Sequence, residues 1–410
     1  MRRKNILAIV LFLTFSSFAD AQSLDYYLKK GLENSPLLKE FNNQLLSGTL
    51  DSLLTNATYK PQINHVSQAL YAPVGKNLGY DEAITNGGNF SALVNLVQPL
   101  LNKRIKESQF RDISLSNQAI GVNAKLTETD LRLGITAQYL TAYADFMQIQ
   151  FIQSTLNLLR EEQEILKSLV DQGIYLQTDR MNMALAITNQ EIAIKQGMIQ
   201  YKNDLGLLNF ICGITDHSSA VLEKPEMMLR NTFDINNSPA MMKFRIDSLK
   251  NINSRHLIDL NYRPKLNIVA DAGFLAFSPE NIPHNFGTSF GLNFALPIYD
   301  GKQRKLMHDK TLLTENSRMN YRHFYSAQYL QHLNQLTEQL KLTDDLILGI
   351  KSQLTEQEKL IAIYKVEITR GLVRFIDFLA TVNNYTLAKN NLTISEMNRL
   401  QIINQMNYLK

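Results

Sequence analysis

Tyr59-Lys60-Pro61-Gln62-Ile63-Asn64 is written a second time, as Tyr262-Arg263-Pro264-Lys265-Leu266-Asn267. Upstream, at the same offset, Asn34-Ser35-Pro36 returns as Asn237-Ser238-Pro239. Between Asn64 and Asn95 the offset shortens by about five residues, a difference that a surface loop absorbs at little entropic cost. Beyond it, Asn95 matches Asn293, Pro99 matches Pro297, Gly173 matches Gly371 and Asp179 matches Asp377. Single matches arise by chance, but an ordered series with one change of length marks a tandem duplication. The copies run over 22–222 and 237–410, and residues 223–236, which include Pro225, read as the linker.

Each copy spells the same order: a helix, two strands, then a long helical hairpin. Pro61 and Pro264 stand where a helix must stop and a strand begin; Pro99 and Pro297 stand where the second strand gives way to helix. Proline lacks the N–H that a helix interior or a central strand needs, so it gathers at such junctions. No proline occurs from Leu100 to Lys224 or from Ile298 to Lys410. Residues 103–172, read as helix, would span about 100 Å at 1.5 Å per residue. Leu156, Leu159, Ile165, Leu166, Leu169 and Val170 recur at helical spacing, which is the pattern of plain helix–helix packing. Gly173 and Gly371 mark where each long helix reverses, because glycine takes positive φ without steric cost.

The strands alternate with a period of two. Phe286, Thr288, Phe290, Leu292, Phe294 and Leu296 fall on one face, and Gly287, Ser289, Gly291, Asn293 and Ala295 on the other. In the preceding strand Leu266, Ile268, Ala270, Ala272 and Phe274 share a face, with Asn267, Asp271 and Gly273 opposite. Tyr262, Phe277, Phe286 and Tyr299 cluster at the strand ends, as an interfacial aromatic girdle requires. The first copy is weaker: Phe90, Ala92, Val94 and Leu96 alternate, but His65 and Ser67 occupy the face that should meet lipid. A soluble sandwich alternates in the same way. Four strands cannot close a barrel, and an open edge is not tolerated in lipid. Three chains would close one of twelve strands.

The N-terminus and the composition set the compartment. Arg2, Arg3 and Lys4 precede an apolar run from Ile6 to Phe18 and the small-x-small site Ala19-Asp20-Ala21, the pattern of a cleaved signal peptide over 1–21. No cysteine follows that site for lipidation, and the lone Cys212 reads as a small buried hydrophobe. The chain carries 42 Lys and Arg against 38 Asp and Glu, and the leader removes three of those bases and one acid. So even a balance argues against a nucleic-acid partner. The seven histidines are scattered, and there is neither a phosphate loop nor a nucleophile elbow, so no enzyme activity, cofactor or metal is expected.

Beyond each reversal lies an acid at a matched position, Asp179 and Asp377, with Arg180 and Arg374 close by. Two readings stay open: helix caps or solvated acids, and a ring of charge that threefold symmetry would build at a constriction. The duplicated unit, Tyr59-Lys60-Pro61, Tyr262-Arg263-Pro264, Leu296-Pro297-Ile298-Tyr299-Asp300-Gly301, and Gly371 through Asp377-Phe378-Leu379-Ala380 resemble the TolC family of outer-membrane efflux proteins. The resemblance covers essentially the whole chain after residue 21. It implies a mixed α/β membrane protein and a homotrimer. Four transmembrane strands per chain would complete a 12-stranded barrel in the outer membrane, and long helical hairpins would form an α-barrel through the periplasm. It further implies a conduit docked on a periplasmic adaptor and an inner-membrane transporter. Some members carry a second acid three residues after the first; here that place is Ala380, so the resemblance does not carry a full acidic gate. The rival reading is a periplasmic coiled-coil adaptor or scaffold without a pore.

Overall fold

A computed structural model describes residues 22–77, 79–81, 87–215, 221–230 and 234–409. The expected signal peptide lies outside these residues, as do parts of the loop over 76–88 and of the linker over 223–236. The chain runs α1 (Leu24–Asn34), α2 (Pro36–Thr58), β1 (Gln62–Tyr71), β2 (Gly88–Pro99), α3 (Lys103–Asp171), α4 (Gln177–Cys212), α5 (Pro239–Asn261), β3 (Lys265–Ala276), β4 (Phe286–Ala295), α6 (Gln303–Thr369) and α7 (Phe375–Asn407). It divides into two compact units. One holds residues 37–127 and 234–328, the other residues 22–36, 128–230 and 329–409.

The first unit contains the sheet, antiparallel throughout, in the order β1-β2-β3-β4. Its register sorts the side chains into two faces. Leu96, Ala270 and Phe290 are partners in one row; His65, Val94, Ala272 and Thr288 form another. Both rows lie on the apolar face, and the polar row Asn64, Asn95, Asp271, Ser289 lies on the opposite one. The expected strand phases are therefore the observed ones. Every residue of β1 and of β4, the two edges, is exposed. On β4 this leaves Phe286, Phe290, Leu292 and Phe294 uncovered, with Phe290 84% exposed.

Helices flank the sheet for local reasons. Ser238 caps α5, its Oγ accepting from the Met241 N–H at 3.2 Å, and Pro239 sits at the first turn, where its missing N–H costs nothing. In this unit α3 and α5 are joined by a buried reciprocal pair. The Ser108 hydroxyl donates to Asn253 Oδ1 at 2.8 Å, and Asn253 Nδ2 donates to the Ser108 carbonyl at 2.9 Å. Arg318 of α6 clamps Glu315 and donates to the Phe244 carbonyl of α5, and this guanidinium holds the Glu315 carboxyl down at about 2.

The second unit is helical. Tyr27, Ile135, Tyr139, Leu140, Leu208 and Cys212 form one cluster; Leu159, Leu166, Met183, Ile368, Phe375 and Phe378 form another. Gly31 leaves room for Ile135, whose Cδ1 lies where a Cβ would come within 2.3 Å. Gln22 bridges to Leu222, and the Tyr139 hydroxyl contacts the carbonyls of Gln22 at 3.0 Å and Glu223 at 2.7 Å. Cys212 is fully buried, and burial pushes its thiol up to about 12. Among the described residues no helix is long and apolar enough to cross a membrane.

Candidate functional site

The two helix reversals lie in the helical unit. Gly173 has φ 75° and Gly371 φ 66°. After Gly173 the Ile174 N–H reaches back to the Leu169 carbonyl at 2.9 Å; after Gly371 the Leu372 N–H reaches the Glu367 carbonyl at 3.1 Å. Both satisfy carbonyls that a helix end would otherwise leave bare. Leu176 then caps α4 and Arg374 caps α7.

The matched acids meet different partners. Asp179 Oδ2 accepts the backbone N–H of Leu176 at 3.0 Å. Asp377 instead receives both Nε and Nη2 of Arg374, each at 2.9 Å. The structure brings Arg374 onto Asp377 but does not pair Arg180 with Asp179: among the described residues no ion pair includes Arg180.

The two turns also touch each other. The Tyr175 hydroxyl donates to the Val373 carbonyl at 2.8 Å, and its ring meets Phe375 edge-on with centroids 6.2 Å apart. Burial first, then the Asp179 charge, raise the Tyr175 hydroxyl above its ordinary pKa, so it serves as a neutral donor. Ile174 packs so close to Gly371 that a Cβ there would lie 2.7 Å from Ile174 Cγ2. In the same hairpins the buried Glu162 pairs with Lys365 at 2.9 Å.

The junction prolines occupy the expected places: Pro61 and Pro264 immediately precede β1 and β3, Pro99 ends β2, and Pro297 follows β4. Sequence reasoning missed what braces them. Lys106 stands over the Tyr59 ring at 5.8 Å, and Arg304 over the Tyr262 ring at 5.6 Å. Lys106 and Arg304 stand the same distance apart in sequence as Gly173 and Gly371, and that shared offset was the available signal. Arg304 and His308 also bind Asp259, and Asp300 accepts the Lys302 and Arg304 N–H groups at the start of α6. Among the described residues no cluster of His, Cys, Asp and Glu has the geometry to hold a metal.

No protein-family model matches the sequence, and no curated protein matches it. Solved structures do. The chain superposes on the open state of the Neisseria gonorrhoeae MtrE outer membrane channel with a TM-score of 0.75 at 10% identity, covering 94% of this chain and 88% of that one. The Campylobacter jejuni CmeC outer membrane channel gives 0.74 at 11% identity, over 95% and 86%. The outer membrane protein VceC of Vibrio cholerae gives 0.72 at 12% identity, over 94% and 95%. Over 94–95% of its length the chain has the fold of these proteins: long helical hairpins with a four-stranded antiparallel sheet.

Proposed function

We propose that this chain is one subunit of a homotrimeric outer-membrane channel-tunnel, the exit duct of a tripartite efflux or secretion system. Its sheet lies in the outer membrane and its hairpins extend into the periplasm. The observation that carries this reading is the sheet itself. It has two unpaired edges, one face lined by exposed Phe286, Phe290, Leu292 and Phe294, and an opposite face crossed by the polar row Asn64, Asn95, Asp271 and Ser289. Such a sheet is unsatisfied in water and in lipid as a single copy. Three copies, joined β4 to β1, remove every edge and leave a twelve-stranded wall that is apolar outside and carries the polar row inside. A scaffold without a pore gives no reason for the aromatic face. Fractionation tests the reading: the protein should stay with outer membranes through carbonate washing and need detergent for release, and release by carbonate would overturn it.

On this reading the chain is a tandem duplication of 22–222 and 237–410, which explains why helix, two strands and helical hairpin recur in the same order from α2 and from α5 onward. It is exported by a leader over 1–21. The conduit is passive and is opened from the periplasmic side by an adaptor and an inner-membrane transporter. The turns at Gly173 and Gly371 form the periplasmic mouth and are held together within each subunit by Tyr175 on the Val373 carbonyl, while Arg374 pairs with Asp377 at the exposed start of α7. Asp179 is the structural member of the set, since its carboxylate is spent on the backbone of its own turn.

A further inference from the structure

We infer that Asp271 sets the charge selectivity of the barrel, favouring cationic solutes over anionic ones of the same size; this rests on the trimeric channel proposed above. Asp271 is the sole carboxylate in the four strands. It lies near the middle of β3, on the face opposite Phe290. An ionisable group at membrane depth is expensive unless it faces water, so its presence there asks for a purpose.

The register gives it one. Asn64, Asn95, Asp271 and Ser289 are successive partners across all four strands. The adjoining rows on the same face are Val66, Leu93, Gly273, Gly287 on one side and Gln62, Val97, Val269, Gly291 on the other. A wholly polar row is thus bounded by largely apolar or side-chain-free ones. Ser289 donates to Asp271 Oδ2 and fixes the carboxylate.

Gly273, Gly287 and Gly291 flank the Asp271–Ser289 pair along their strands, so few side chains stand over it. Gly273 cannot be otherwise: it has φ 155°, and a Cβ would fall 2.1 Å from the Ala92 carbonyl. Threefold repetition turns the row into a girdle of twelve polar side chains carrying three uncovered carboxylates. Lumen-facing positions of membrane barrels are where substitutions change selectivity, and a like-signed ring in a narrow conduit repels anions and concentrates cations.

The test is local and does not depend on the state of the periplasmic mouth. Asn95→Cys places a thiol beside Asp271, while the native Cys212 is buried. In intact outer membranes the thiol is labelled from outside with a cationic and an anionic methanethiosulfonate of similar size. The cationic reagent should react faster, and adding Asp271→Asn should lower the cation-to-anion rate ratio about tenfold, the change expected from removing one charge within about 5 Å in water. Asp271→Asn with Ser289→Asp, which returns the carboxylate to the same row, should recover part of the preference and guards against a mere folding effect. An accessible thiol whose ratio is unmoved by Asp271→Asn would overturn the assignment and leave the channel standing. A thiol that neither reagent reaches would overturn the water-filled lumen beneath it.

Discussion

The turn at Gly173 and the turn at Gly371 share a frame, yet they spend their acids differently. At the helix cap the first has Leu176 and the second Arg374, and three residues on each has an aspartate. An apolar cap leaves Asp179 free to accept the cap's own N–H; a guanidinium at that place captures Asp377 in a bidentate pair. One residue thus decides whether a matched acid is a backbone cap or an exposed ion pair. The strand pairs diverge in the same manner. β1 carries His65 and Ser67 on the outer face, bonded to each other at 2.8 Å, whereas β3 carries Ile268 and Ala270 at the corresponding places of the Tyr-x-Pro strand. In both turns and both strand pairs the prolines and glycines keep the backbone frame alike, while the side chains at corresponding places carry different chemistry.

The strands offer the largest test of that divergence. Phe290→Arg should cost about 2–4 kcal/mol and block insertion, while Asn293→Arg, on the inner face, should insert normally and alter conductance. His65→Arg, where the outer face is already polar, should fall well below the first. Heat-modifiable mobility of the assembled protein ranks the three, and equal losses at 290 and 293 would abolish the face assignment. At the turns, Tyr175→Phe deletes the bond to Val373 and should lower stability by about 1 kcal/mol and raise open probability in planar bilayers. Asp179→Asn should cost about 1 kcal/mol with little change in gating. Asp377→Asn should cost less, since the pair is exposed, yet open the mouth more often. Reversed gating effects at the two acids would show that the cap residue does not govern their roles.

A pH effect belongs to the helical unit alone. Burial, reinforced by Asp204, pushes the Asp145 carboxyl up to about 7. Against burial, hydrogen bonds from Asp145, Gln200 and Gln138 hold Asp204 low. The folded state therefore keeps a proton on Asp145 that the unfolded chain releases near pH 4. Stability from this group is complete below that pH and declines as pH rises to about 7. Thermal melting in detergent should fall between pH 5 and pH 8, and Asp145→Asn should flatten that slope. An unchanged slope would show that the proton is not held there.

Much of this was legible in the residues themselves. Pro61, Pro99, Pro264 and Pro297 announce the strand boundaries, Gly173 and Gly371 announce the reversals, and alternation along residues 286–296 gives the faces without any tertiary information. The partners of Asp179 and Asp377 were not legible, because they depend on side-chain reach within a turn whose geometry exists only once folded. Tyr175 on Val373, Lys106 and Arg304 over their tyrosines, and the Asp145–Asp204 pair escaped for a different reason. Each joins residues distant in sequence, and no local period encodes such a meeting.

The central claim is that one chain supplies a third of a closed barrel. The direct measurement is the mass of the detergent-solubilised protein, by native mass spectrometry or light scattering corrected for bound detergent. The account predicts a trimer that keeps its strand content and resists dissociation until heated. A stable monomer with the sheet intact would contradict it.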